Sequence, residues 1–125
     1  MTEEERAAAG MRIRREVLGD EHVDRAAAGT TEFTADFQDF ITRYAWGEVW
    51  NRPGLTRQER SMITLATLAA LGRDDEFVLH VRAALRNGLR PGDIAEVLLQ
   101  VAVYAGVPAA NRAFKLAAAT IDSYS

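Results

Sequence analysis

Apolar residues recur along this chain at spacings of three and four, and no stretch of strict alternation marks a strand. A first helix is predicted from about Glu3 to Leu18, stopped at Gly19 and Asp20, with a short helical turn over His22–Ala28. Phe33, Phe37, Phe40, Ile41 and Tyr44 share one face of the next helix, predicted to end near Ala45 with Gly47 past its C-terminus. The run NRPGLT then breaks the pattern, and Thr56-Arg57-Gln58-Glu59 has the spacing of a capping box, in which hydroxyl and carboxylate each satisfy a free backbone N–H. The helix it opens is apolar nearly all round from Met62 to Leu71 and is expected to be central and buried. Asp74 caps a helix to about Asn87, with Gly88 as its stop. Pro91 opens another reaching Tyr104, and Pro108 the last, to about Asp122. The expectation is an all-α protein, a compact bundle of about six helices.

Composition narrows the chemistry. With 125 residues and no break in composition, residues 1–125 are expected to form a single domain. A net charge of −3 lacks the clustered Lys and Arg that bind phosphate backbones, so no nucleic acid partner is expected. The chain has no cysteine, which excludes disulfides, thiolate metal sites and thiol catalysis. The N-terminal run MTEEERAAAGMRIRREV lacks the apolar segment of a signal peptide, and no apolar run approaches the ~18 residues that span a bilayer. No membrane association is expected, and a cytoplasmic location is.

Two stretches carry candidate chemistry. On the Asp74–Asn87 helix, Phe77, Val81, Ala84 and Leu85 form the apolar stripe, and His80 lies at its edge one turn beyond Glu76. That spacing lets the carboxylate orient the imidazole and favour its protonated form, while Arg73 offers a fixed positive charge to an anion. By spacing alone a solvated Glu–His pair is the commoner outcome. With two histidines and no HExxH or cysteine partner, a metal site is weaker still, and none is expected. In ITRYAWGEVWNRPG, the aromatic residues Tyr44, Trp46 and Trp50 alternate with Arg43, Glu48 and Arg52. They suit either the wall of a pocket for a flat anion or a core or subunit contact.

These same stretches resemble the carboxymuconolactone decarboxylase family. The resemblance is carried by VLGDEHVDRA, by the run from FQDFITRYAWGEVWNRPG through LHVRAALRNG, and by EVLLQVAVYAGVPAANRAF, covering about Arg12 to Ala118. It implies an alkyl hydroperoxidase D-like helical fold and a homo-oligomer, either a trimer or a hexamer. Redox members of the wider superfamily carry a CxxC pair followed by a histidine. Here Arg73 and Glu76 stand where those cysteines would be, with His80 as the histidine, which excludes disulfide chemistry and fits the decarboxylase branch. Redox members also have a glutamate on the preceding helix, roughly where this chain has Ser61, so that proton relay does not carry over.

The implied activity is decarboxylation of gamma-carboxymuconolactone, a small anionic lactone, to 3-oxoadipate enol-lactone and CO2. The substrate delocalises its own electron pair, so no cofactor is expected. His80, Glu76 and Arg73 are the expected catalytic residues, and Arg43, Tyr44, Trp46, Glu48 and Trp50 the expected substrate-binding ones. Two other readings stay open, a relative that decarboxylates or isomerises another small lactone, and a helical oligomerisation module without activity.

Overall fold

The structure is a computed structural model and describes residues 1–124. Among the described residues all regular structure is helical: α1 (Glu3–Leu18), α2 (Asp20–Ala28), α3 (Ala35–Phe40) running into a π-helical segment (Ile41–Val49), α4 (Arg57–Leu71), α5 (Asp74–Arg86), α6 (Pro91–Tyr104) and α7 (Val107–Ser123). The chain forms two compact units, Met1–Leu55 and the remainder from Thr56, which meet in sequence at the predicted break NRPGLT.

In the first unit, α1 begins with a capping box. The Thr2 hydroxyl accepts from the Glu5 N–H, the Glu5 carboxylate accepts from the Thr2 N–H, and three glutamates sit in the first turn where the helix dipole favours them. Ala9, Gly10, Ile13, Arg14, Val17 and Leu18 face inward. This face packs on the π-helical segment at very short range. A Cβ on Gly10 would lie 1.9 Å from the Thr42 carbonyl oxygen, and one on Gly47 would lie 2.4 Å from that of Arg6. The two backbones touch because both positions lack side chains.

This corrects the predicted end of the third helix. Gly47 does not stop the helix. It lies inside the π-helical segment, which runs on to Val49 and is closed by an i→i−5 bond from the Trp50 N–H to the Ala45 carbonyl, 2.9 Å. The wider turn turns Thr42, Trp46 and Gly47 inward. The aromatic residues read as one face are exposed: Phe33 (95%), Phe37 (61%), Phe40 (59%) and Tyr44 (39%) all meet solvent.

In the second unit, Thr56 and Glu59 form the predicted capping box at the start of α4, and Gly72 ends the helix in the left-handed conformation, φ 70°. The expectation that α4 is buried all round is corrected. It buries only Ser61, Leu65 and Ala69, one residue per turn, while Ile63 and Leu71 are exposed. The core gathers Leu65, Phe77, Val81, Leu89, Ile94 and Leu98 with small alanines from α7. On α5 the buried residues Phe77, Val81 and Ala84 follow the predicted stripe, with Leu85 packed at its margin.

Candidate active site

Arg73 occupies the N-cap of α5 with φ −87° and ψ 80°, held there by its N–H to the Leu68 carbonyl (3.0 Å). Its side chain is exposed, as is that of Glu76 in the first turn. His80 lies one turn further on, partly buried, with its Nδ1 atom withdrawn from solvent beside the apolar stripe. Along the helix axis about 6 Å separates Glu76 from His80, and about 10 Å Arg73 from His80. Neither Arg73 nor Glu76 forms a side-chain hydrogen bond or ion pair among the described residues, so the Glu76–His80 pairing is within reach but not made. The first turn of α5 is acidic, with Asp74, Asp75 and Glu76 at the positive end of the helix dipole.

Beside this turn lies a cavity of about 330 Å³ between α4, α5 and α7, walled by Leu68, Leu71, Phe77, Pro108, Ala113 and Leu116. Arg112 Nε donates to Asp74 at its rim (2.8 Å) and holds the Asp74 carboxyl below its usual range. Arg73, Glu76 and His80 lie outside that lining. Ser61 is almost fully buried, and its hydroxyl accepts from Asn87 Nδ2 (2.9 Å), while Gln58 Nε2 donates to the Asn87 carbonyl (3.1 Å).

The second set of expected site residues belongs to the first unit, where most have intramolecular partners. Arg43 Nε donates to both oxygens of Asp39 (3.0 and 2.9 Å), and its Nη1 donates to the Glu3 carbonyl (2.7 Å). The Tyr44 hydroxyl donates to Glu3 Oε1 (2.8 Å). That bond, followed by the one from Arg6, lowers the Glu3 pKa, and the same Tyr44–Glu3 bond, followed by burial, raises that of Tyr44. Arg6 bridges Glu3 (3.2 Å) and Glu48 (3.0 Å) and lies over the Tyr44 ring, 5.3 Å from its centroid. Trp46 is buried and stacks on Trp50 with ring centroids 5.0 Å apart and planes at 26°. The network fastens the start of α1 to the π-helical segment.

One buried cation escaped the sequence reading. Arg14 is only 6% exposed, its Nη1 donates to Thr42 Oγ1 (3.2 Å) and its Nη2 to Gln38 Oε1 (3.1 Å). Burial pushes its pKa below the ordinary arginine value. His22 is likewise held below the usual histidine value, first by burial and then by the charges of Arg14 and Arg25. The available signal is positional, since Arg14 falls between Ile13 and Val17 on the inward face of α1. Among the described residues no group of three or more His, Cys, Asp or Glu is placed to hold a metal ion, and no helix is long and apolar enough to cross a membrane.

An all-helical chain with a half-buried histidine behind a helix N-terminus rich in charge fits a small acid–base enzyme. The chain belongs to the carboxymuconolactone decarboxylase family, whose sequence pattern matches residues 35–119. It is 48% identical over 117 residues to a 4-carboxymuconolactone decarboxylase of Acinetobacter baylyi, an alignment that covers 94% of this chain and 87% of that protein. It is 41% identical over 113 residues to the nitrosuccinic acid decarboxylase npaB of Metarhizium robertsii, covering 90% of this chain and 79% of that one. A 48-residue stretch is 50% identical to a 4-carboxymuconolactone decarboxylase of Pseudomonas putida, covering 38% of this chain and 100% of that sequence.

Proposed function

We propose that this chain is a carboxy-lyase that converts gamma-carboxymuconolactone into 3-oxoadipate enol-lactone and CO2, in the protocatechuate branch of aromatic degradation. The observation that carries the reading is its 48% identity, over 94% of its length, to the Acinetobacter baylyi 4-carboxymuconolactone decarboxylase. The chemistry asks little beyond what the side chains offer. The bond from the ring carbon to its carboxylate breaks, CO2 leaves, and the electron pair runs through the ring double bond to the lactone carbonyl. One proton then goes to the ring carbon next to that carbonyl. The substrate is its own electron sink, so the reading requires no cofactor.

His80 is the proton donor in this scheme. Glu76, one turn away, favours the imidazolium when the two side chains meet. Arg43 is already bonded to Asp39 and Glu3, whereas Arg73 has no side-chain partner among the described residues. The reading therefore gives the anion clamp to Arg73, acting on the carboxymethyl group. The departing carboxylate is best left against apolar surface, because a tight ion pair there would stabilise the ground state more than the transition state. Of the other expected substrate-binding residues, Tyr44 is bonded to Glu3, Glu48 to Arg6, and Trp46 stacks on Trp50 within the first unit, so the reading gives none of them a step.

The fold is assigned on the same grounds to the alkyl hydroperoxidase D-like group, and the assembly to a hexamer or trimer in the cytoplasm. Phe33, Phe37 and Phe40 in the first unit and Val103, Tyr104 and Val107 in the second support assembly, as each is more than half exposed.

The test is a turnover assay with freshly prepared carboxymuconolactone, following loss of the lactone and release of CO2, with nitrosuccinic acid run in parallel. Wild-type protein should consume the lactone without added metal or cofactor. His80→Gln should lower kcat about 10²–10⁴-fold at an unchanged thermal midpoint. No turnover of the lactone by folded, assembled protein would refute the substrate. A His80→Gln enzyme within a few-fold of wild type would refute the proton donor.

A further inference from the structure

Arg14 is a cation buried without an anion. Its two hydrogen bonds go to a hydroxyl and an amide, its Nε is shielded from solvent with no hydrogen-bond partner, and among the described residues it forms no ion pair with a carboxylate. The Thr42 hydroxyl spends its own proton on the Gln38 carbonyl (2.8 Å), so its lone pairs are turned to the guanidinium. Asp39 is the one carboxylate bordering the same space, and both its oxygens are engaged by Arg43. A guanidinium placed in this way loses its hydration without gaining a countercharge, an arrangement costly enough to need a reason.

The space it faces supplies one. Arg14, Gln38 and Thr42 line a cavity of about 320 Å³ whose other walls include Met11, Val23, Ala27 and Thr30. The volume admits a short organic acid, and the walls combine Ala7, Met11, Val23 and Ala27 with the polar Thr30, Gln38 and Thr42 around the Arg14 cation. His22 lies in the field of this charge: its pKa is lowered first by burial and then by Arg14 and Arg25. We propose that this cavity of the first unit binds a small organic carboxylate, with the Arg14 guanidinium as its cation and Thr42 and Gln38 holding that guanidinium in place. The Nη protons not given to Thr42 and Gln38 are the donors that a carboxylate would accept from, with the buried Nε as a neighbouring reporter. The proposal does not rest on decarboxylation, since its readout is binding.

The experiment is a titration of the full-length protein with succinate, with uncharged succinamide as the control at matched ionic strength. The Arg14 Nε–Hε NMR signal and the thermal midpoint are followed. Succinate should move the Arg14 signal to saturation and raise the midpoint, and succinamide should do neither. Arg14→Met should fold with an equal or higher midpoint, because it removes a buried unpaired charge, and should lose the response to succinate. Arg14→Lys keeps the charge without the planar fork and should weaken binding about tenfold or more. If Arg14→Met does not fold, the wild-type signal decides. An Arg14 resonance unmoved by succinate up to about 10 mM overturns the proposal, as does an equal response to succinamide. A succinate effect that survives in folded Arg14→Met also overturns it. In the turnover assay, inhibition by succinate that Arg14→Met abolishes assigns the site to the substrate's own carboxylate, and binding without inhibition assigns it to a separate acid.

Discussion

Gly10→Ala tests how the first unit is held together. The new methyl would lie 1.9 Å from the Thr42 carbonyl oxygen, 2.9 Å from its carbon and 3.0 Å from the Gly47 nitrogen. All three are backbone atoms, so no side chain can swing aside. Ordinary contact begins near 3.4 Å, and α1 must part from the π-helical segment by about 1.5 Å, the difference between 3.4 and 1.9 Å. Overpacking of this kind typically costs 1–3 kcal/mol, and a rigid backbone neighbour places it at the upper end. Alanine returns about 1 kcal/mol through its better helix propensity. The net loss should be about 2 kcal/mol, or roughly 8 °C in thermal midpoint for a chain of this size. Gly92→Ala in the first turn of α6 is the matched control, since a Cβ there meets nothing within 4 Å. It should be neutral or slightly stabilising. Calorimetry on both variants reads the comparison directly. A Gly10→Ala midpoint within 2 °C of the Gly92→Ala value would show that the two backbones are not in contact, and would undercut the placement of Arg14 against Thr42.

Two further substitutions probe the second unit. Asp74 has its folded pKa lowered by the Arg112 hydrogen bond, so the pair stabilises the fold fully above the unfolded value of about 3.8 and loses that contribution as pH falls through the lower folded value. Asp74→Asn should therefore flatten stability against pH below about 4, read by urea titrations at several acid pH values. An unchanged acid limb would refute the pairing. Asn87→Ala removes the amide bonded to the buried Ser61 hydroxyl and should cost about 1–3 kcal/mol in chemical denaturation. A loss below 0.5 kcal/mol would mean that Ser61 is satisfied without it.

Helix boundaries written in side-chain chemistry were legible from the residues. Gly19, the pair Thr56 and Glu59, and Pro91 each act within a few residues of where they stand, so they mark the same ends in the structure as in the sequence. The third helix failed because its geometry depends on a partner. A period of 3.6 groups Phe33, Phe37, Phe40 and Tyr44 on one face. The segment that packs on α1 has wider turns, and these bring Thr42, Trp46 and Gly47 inward instead. Gly47 looked like a helix stop because a C-terminal cap and a close helix crossing call for the same missing side chain. The Arg6 carbonyl, which a Cβ on Gly47 would strike, and the Trp50–Ala45 bond beyond it distinguish the two.

The candidate site divides in the same way. The spacing of Glu76 and His80 fixes that both lie one turn apart on α5, and the apolar stripe fixes that His80 is half-buried. Whether a side chain is available for substrate depends on what else it touches, which spacing does not encode. Arg43 and Arg73 read alike in the sequence, each a cation near a helix end. In the structure Arg43 is tied to Asp39 and to the Glu3 carbonyl, forty residues away in the chain, while Arg73 projects from an N-cap without a side-chain partner among the described residues. Arg14 shows the converse. It stands in a terminal segment crowded with Arg and Glu, yet its position between Ile13 and Val17 carries it onto the face that α1 buries. Its partners Gln38 and Thr42 flank the junction where α3 gives way to wider turns. The charge with the strongest claim on an anion in the first unit is thus one whose inward placement the spacing of Ile13 and Val17 gives, while its lack of a carboxylate partner depends on what packs against that face.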